Sequence, residues 1–249
     1  MTTGPRVAVV DSGWARHVAE PRVHTGVGLV DPADELRPLL SGDDADRIGH
    51  GTACADLILR LAPRAQVLPI RVFGRRLETS AEILIEALDW ARGAGVRVVN
   101  VSLGTLRTDA LPALYAACDR ARRAGLVIVA AHAMGAPATY PAAFDNVLSV
   151  SSASRTGGRR IVFRPGAAVE LLAPDRHQLR WGDGHRRYVR GSSFAAPVIT
   201  AMVARMLHEE PDLDIEGVRS LLGRHPDMMV AAGTPSAPAI VASWPRRSP

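Results

Sequence analysis

Short apolar, β-branched runs alternate with stretches of helical periodicity along the first 150 residues, and this alternation restricts the fold more than any other feature. Arg6–Val10, Gln66–Val72, Val96–Val101, Leu126–Ala131 and Asn146–Ser151 read as buried strands. Between them, residues 51–61, 80–93 and 109–124 place apolar residues on one helical face, and the last two stretches run into Arg92-Gly93-Ala94-Gly95 and Arg123-Ala124-Gly125. A strand that returns through a helix pairs in parallel. The expected fold is therefore α/β, a three-layer, doubly wound, mostly parallel sheet with helices on both faces and functional groups at the carboxyl ends of the strands. Aromatic residues make up only 4% of the 249, so Val, Leu, Ile and Ala must build the core. That composition suits a covered parallel sheet better than an aromatic-rich sandwich.

Later in the chain a further strand is expected at Val169–Ala173, followed by an Arg- and Gly-rich surface loop or hairpin over Pro174–Arg190. Phe194–Leu207 then reads as a buried helix, with Pro197 near its start, where a missing amide proton is tolerated. No linker, repeat or shift in composition divides the chain, so residues 1–249 read as a single domain, with a poorly ordered tail from about Ala231.

The net charge of +5 comes entirely from Arg, with no Lys, and the basic pairs are scattered along the chain. No aromatic-interleaved stripe accompanies them, so no nucleic-acid partner is expected. The longest apolar run falls far short of the roughly 18 residues of a membrane span, and no membrane partner is expected either. The first ten residues lack the apolar core of a signal peptide, and no N-terminal folding segment is expected ahead of Asp11. A cytoplasmic protein is the expectation. Cys54 and Cys118 form one bridge at most and read as reduced thiols, Cys54 as a small core residue whose position four after His50 leaves sensitivity to thiol reagents open.

Three strings carry the residue types of nucleophilic catalysis. Asp11-Ser12-Gly13 ends the first strand, His50-Gly51-Thr52 opens a helix, and Gly191-Ser192-Ser193-Phe194-Ala195-Ala196-Pro197 opens the buried apolar segment. A serine hydroxyl needs an imidazole to accept its proton, and the imidazole needs a carboxylate to set its tautomer and stabilise its charge. Either of the first two strings alone is an ordinary turn or helix start. All three in this order, on an alternating chain, point to chemistry.

With these strings the chain resembles the subtilisin-like serine protease (subtilase) family over nearly its whole length. Ala62-Pro63-Arg64-Ala65, Ala87-Leu88-Asp89-Trp90-Ala91, Val99-Asn100-Val101-Ser102-Leu103-Gly104 and Tyr140-Pro141 add to the likeness. The resemblance implies a serine endopeptidase in which Asp11 orients the base, His50 is general base and acid, and Ser193 forms the acyl-enzyme. It further implies that Ser102, Leu103 and Gly104 form an edge to which substrate backbone pairs, and that Ala130, Ala131, His132 and Thr139 wall the primary pocket. No acidic residue occupies those positions, so a pocket for Arg or Lys is not indicated.

One departure stands out. Where the family places Gly-Asn after the strand matching Leu126–Ala131, this chain has His132-Ala133, and Ala133 cannot donate a side-chain hydrogen bond to the oxyanion. Loss of that donor costs about 100- to 1,000-fold in turnover, a figure established on this same family. The oxyanion candidates are then the Ser193 backbone N–H, the Ser192 hydroxyl, the His132 ring and the Ala133 position itself. Three readings stay open: a selective protease that processes a precursor or leader peptide, with an accessory protein presenting the substrate; a transpeptidase or macrocyclase; and a weakly active or non-catalytic peptide-binding module. Only 11 residues separate His50 from Ala62, too few for the family's calcium loop, and Asp43-Asp44-Ala45-Asp46 reads as a solvated loop. No metal or cofactor is expected.

Overall fold

The computed structural model describes residues 4–30, 38–153, 160–224, 229–230 and 242–243. Its strands are β1 (Arg6–Asp11), β2 (Val27–Val30), β3 (Pro38–Ser41), β4 (Gln66–Arg71), β5 (Val98–Val101), β6 (Val127–Ala131), β7 (Leu148–Ser152), β8 (Arg160–Phe163), β9 (Leu171–Ala173), β10 (Arg176–Arg180), β11 (Arg186–Arg190), β12 (Met229–Val230) and β13 (Ala242–Ser243). The helices are α1 (His50–Leu61), α2 (Ala81–Gly93), α3 (Leu111–Arg123), α4 (Ser192–Glu209) and α5 (Ile215–Arg224).

The main sheet runs β12-β8-β9-β7-β6-β5-β1-β4-β2-β3, with β13 also on β8. Every pairing from β9 through to β2 is parallel, and the ends turn antiparallel at β8–β9 and β2–β3. Alternation along β1 shows the layering directly. Val7 and Val9 pack with α1, α4 and α5 in one core, while Ala8 and Val10 pack with α2 and α3 in the other. Burial on both faces is why these strands read as continuous apolar runs. The expected three-layer α/β fold is the observed one.

Strand and helix ends shift by a residue or two from those read in the sequence, and the Arg-rich stretch resolves into the separate hairpin β10–β11. β2, β3, β8 and α5 went unanticipated. The three strands are four residues each, too short to show a period, whereas α5 buries Ile215, Val218 and Leu222 at a spacing that was legible. The expected disorder from Ala231 onward lies outside the described residues, β13 apart. Among the described residues no helix is long and apolar enough to cross a membrane.

The acidic segment expected to be a solvated loop is instead knitted into the protein. Asp44 is fully buried, pairs with Arg16 and accepts from the Gly26 N–H at 2.6 Å. Asp43 accepts from Arg47 at 2.8 Å and from the Ala45 N–H at 3.0 Å. The fully buried Arg71 at the end of β4 donates to the carbonyls of Asp43, Phe73 and Val30. A buried guanidinium needs such acceptors, and these tie the segment to the sheet.

Candidate active site

In an open α/β sheet, sites form at the carboxyl edge where the strand order reverses. Here that point is β1, whose neighbours β4 and β5 carry the chain away in opposite directions. Asp11 is the last residue of β1, and its carboxylate, fully buried, meets His50 Nδ1 at 2.8 and 2.9 Å through its two oxygens. The carboxylate can only accept, so Nδ1 carries the proton and Nε2 is the basic nitrogen. Burial pushes the imidazole down, but the Asp11 charge and hydrogen bond outweigh it and hold His50 well above its ordinary value.

Close backbone approach fixes His50 as the first residue of α1. Ser12 Oγ accepts from the Gly51 N–H at 2.8 Å, and a side chain at Gly51 would collide with the Gly13 backbone. Asp46 supplies the capping that no residue at the helix start provides. Its carboxylate accepts from the N–H groups of Ile48 at 2.9 Å, Gly49 at 2.6 Å and Thr52 at 2.9 Å, and from Thr52 Oγ1 at 2.6 Å. Gly49 takes φ of 101°, and a Cβ there would strike the Trp181 indole, so glycine is required twice over.

Ser193 is the second residue of α4. Pro197 has no N–H, so the Ser193 carbonyl loses its helical partner four residues on. That carbonyl instead accepts from Ser102 Oγ at 3.0 Å and from Cys54 Sγ at 3.6 Å. Cys54 Sγ also lies 3.8 Å from His50 Nδ1, and the Phe194 ring sits 4.9 Å from the imidazole, so α4 begins against His50. Among the described residues no hydrogen bond joins Ser193 Oγ to the imidazole. The start of α4 has neither a side-chain cap nor an acidic residue in its first turn, which leaves N–H groups and the positive end of the dipole unneutralised.

Sequence reasoning missed three participants: Asp46, Asn100 and Thr200. Asn100, buried in the middle of β5, donates to Ser102 Oγ at 2.8 Å and accepts from Thr200 Oγ1 on α4 at 2.9 Å. An amide inside a run of valines was the available signal. The expected substrate-binding residues take different places. β5 pairs with β1 and β6 only through Val101, and Thr105 bridges to Tyr140, so the Ser102–Gly104 backbone between them enters no ladder among the described residues. Ser102 turns its hydroxyl inward. A side chain at Gly104 would collide with Thr139. Ala130 and Ala131 are buried in β6, and Thr139 Oγ1 accepts from the Ala133 N–H at 3.2 Å. His132 is buried, with Nδ1 3.0 Å from the Ala133 carbonyl, which can only accept, so Nδ1 is the donor. Ser192 opens α4 beside Ser193.

Asp11, His50 and Cys54 place ligand-type atoms within 4.8 Å of one another. Burial pushes the Cys54 thiol up, keeping it protonated, and His50 Nδ1 already donates to the Asp11 carboxylate. Those donors suit a hydrogen-bonded relay better than a cation.

A buried carboxylate holds an imidazole at the switch point of a doubly wound α/β sheet. The chain belongs to the subtilase family, whose family model matches residues 2–226. It is 26% identical over 233 residues to alkaline elastase YaB of Bacillus sp. (strain YaB), a match covering 88% of this chain and 58% of that relative, so the chain spans little more than half its length. Among solved structures, a cold adapted subtilisin-like serine proteinase shares the fold with a TM-score of 0.76 at 23% identity, covering 98% of this chain and 90% of that one. The epidermin leader peptide processing serine protease from Staphylococcus aureus does so with a TM-score of 0.70 at 18% identity, covering 89% and 69%.

Proposed function

We propose that this subtilase is a serine endopeptidase that forms an acyl-enzyme on Ser193. The observation that carries the reading is the clasp of both Asp11 oxygens on His50 Nδ1, which leaves Nε2 as a base of raised strength next to the start of α4. In the proposed reaction, Nε2 takes the Ser193 hydroxyl proton as Oγ attacks the scissile carbonyl. Buried Asp11 stabilises the resulting imidazolium, which then protonates the leaving amine. Water hydrolyses the ester by the same relay in reverse. The Ser193 N–H, at the uncapped positive end of α4, is the oxyanion donor in this reading, with the Ser192 hydroxyl as its companion. Ser102–Gly104 receives the substrate backbone, and Ala130, Ala131, His132 and Thr139 wall the pocket.

The reading extends to selective trimming of a peptide precursor inside the cell. Ala133 supplies no side-chain donor, which favours a slow enzyme with few substrates; a structural relative is described as processing a leader peptide. Two buried thiols not joined to each other suit a reducing compartment. The same missing donor supports a second reading, in which a long-lived acyl-enzyme is intercepted by an amine to give ligated or cyclic peptide.

A fluorophosphonate probe decides among these readings, applied to the protein and to Ser193→Ala, followed by mass spectrometry of a diverse peptide mixture. The expected result is labelling of the parent alone, with cleaved products. Ligated or cyclic products select the second reading, and no labelling rejects both.

A further inference from the structure

The hairpin β10–β11 carries a charge pattern that the proposed reaction leaves unused. Its register sets Arg176 opposite Arg190, Gln178 opposite Tyr188 and Arg180 opposite Arg186. Directly opposed residues share a face, so these six form one side of the hairpin. The other side holds His177, Leu179, Arg187 and Val189; Leu179 is fully buried and Val189 packs on the α1–α4 core. The arginine face therefore points outward, with Tyr188 standing 86% exposed at its centre.

Like charges directly opposite each other destabilise a strand pair, and here two such pairs flank the tyrosine. Their internal compensation is thin. Arg190 lies 3.6 Å from Asp175, and Arg180 makes only the smallest of the contributions to the Glu20 carboxyl, whose main partner is Arg22. Arg176 and Arg186 have no ion-pair partner among the described residues. Arg60 donates to the Gln178 carbonyl at 3.0 Å, but it is paired with Asp56 at 3.7 Å, and Asp56 also accepts from the Arg180 N–H at 3.3 Å, so this edge of the hairpin is compensated and the uncompensated charge is that of Arg176 and Arg186. The one acid within 176–190, Asp183, is taken by Arg187.

The same hairpin adjoins the candidate active site. At its turn Trp181 donates to the Ile48 carbonyl at 2.9 Å and stands edge-on to His50, ring centres 6.4 Å apart. Arg190 precedes Ser193 by three residues, a reach of at most about 11 Å. We propose that the outer face of β10–β11 binds a run of acidic residues in the substrate peptide adjoining the scissile bond, so that the hairpin selects substrates by charge. The proposal rests on the peptidase reading for the word substrate, but the binding itself needs no turnover.

Fluorescence anisotropy on the full chain carrying Ser193→Ala tests it at about 50 mM salt, where screening is weak. The probes are a fluorescein-labelled peptide with six consecutive glutamates, its six-glutamine counterpart and a labelled hexathymidylate. The glutamate peptide is expected to bind at least about tenfold tighter than the glutamine peptide. Arg176→Gln/Arg186→Gln should remove most of that preference. Arg176→Glu/Arg186→Glu should abolish it while melting no lower than the parent, because each new carboxylate faces an arginine. Equal binding of the two peptides, or an unchanged preference in the Gln variant, overturns the proposal; tighter binding of hexathymidylate overturns it in favour of a nucleic-acid surface. Acidic-peptide preference without fluorophosphonate labelling of the parent would reject the peptidase reading alone.

Discussion

Pro197 shows how a residue can prepare a site through a hydrogen bond it does not make. By lacking an N–H it releases the Ser193 carbonyl, and Ser102 and Cys54 capture that carbonyl, so the serine's backbone is held from β5 and α1 at once. His50 is prepared by charge. Its imidazole is held well above the ordinary value of 6.5, so the basic form that a hydroxyl proton requires is reached at higher pH. The acid limb of kcat/KM should accordingly have its midpoint above 6.5. Asp11→Asn should move that midpoint down and lower kcat by about 10⁴-fold, since the amide no longer enforces the tautomer. Stability follows the same linkage. A raised folded-state value gives a contribution that is complete below 6.5 and lost as pH climbs through the folded value, so the melting-temperature gap between parent and Asp11→Asn should shrink over that window.

Helix α1 illustrates how an element can be legible while its support is not. Its apolar periodicity and its start at His50 were visible in the sequence; its cap was not. Asp46 caps from four residues upstream, after the chain has looped back under Arg71, and a string of carboxylates in one dimension looks the same whether solvated or enclosed. Asp46→Ala should cost about 1–2 kcal/mol in urea unfolding. Because His50 is the first residue of the helix it anchors, kcat should fall more than KM rises. The hairpin β10–β11 follows the same logic. Its arginines were plain in the sequence, but their grouping on one face depends on the register.

Across the whole molecule, α4 runs behind the sheet and is tied to β5 twice, by Thr200 to Asn100 and, through Ser102, by Ser193. Both Asn100 and Thr200 are fully buried, so Thr200→Val strands the Asn100 carbonyl oxygen and should cost about 1–3 kcal/mol of global stability by urea titration; Thr200→Ser, which retains the hydroxyl, should lose far less. The layered fold and the three strings that hold Asp11, His50 and Ser193 could be read directly, because apolar period and local residue order are properties of neighbouring residues. The clasp on His50, the carbonyl released at Ser193, the tethering of the acids at 43–46 and the facing arginine pairs could not. Each depends on a distance or a register between segments far apart in the chain, and such contacts are set when two cores close on opposite faces of one sheet.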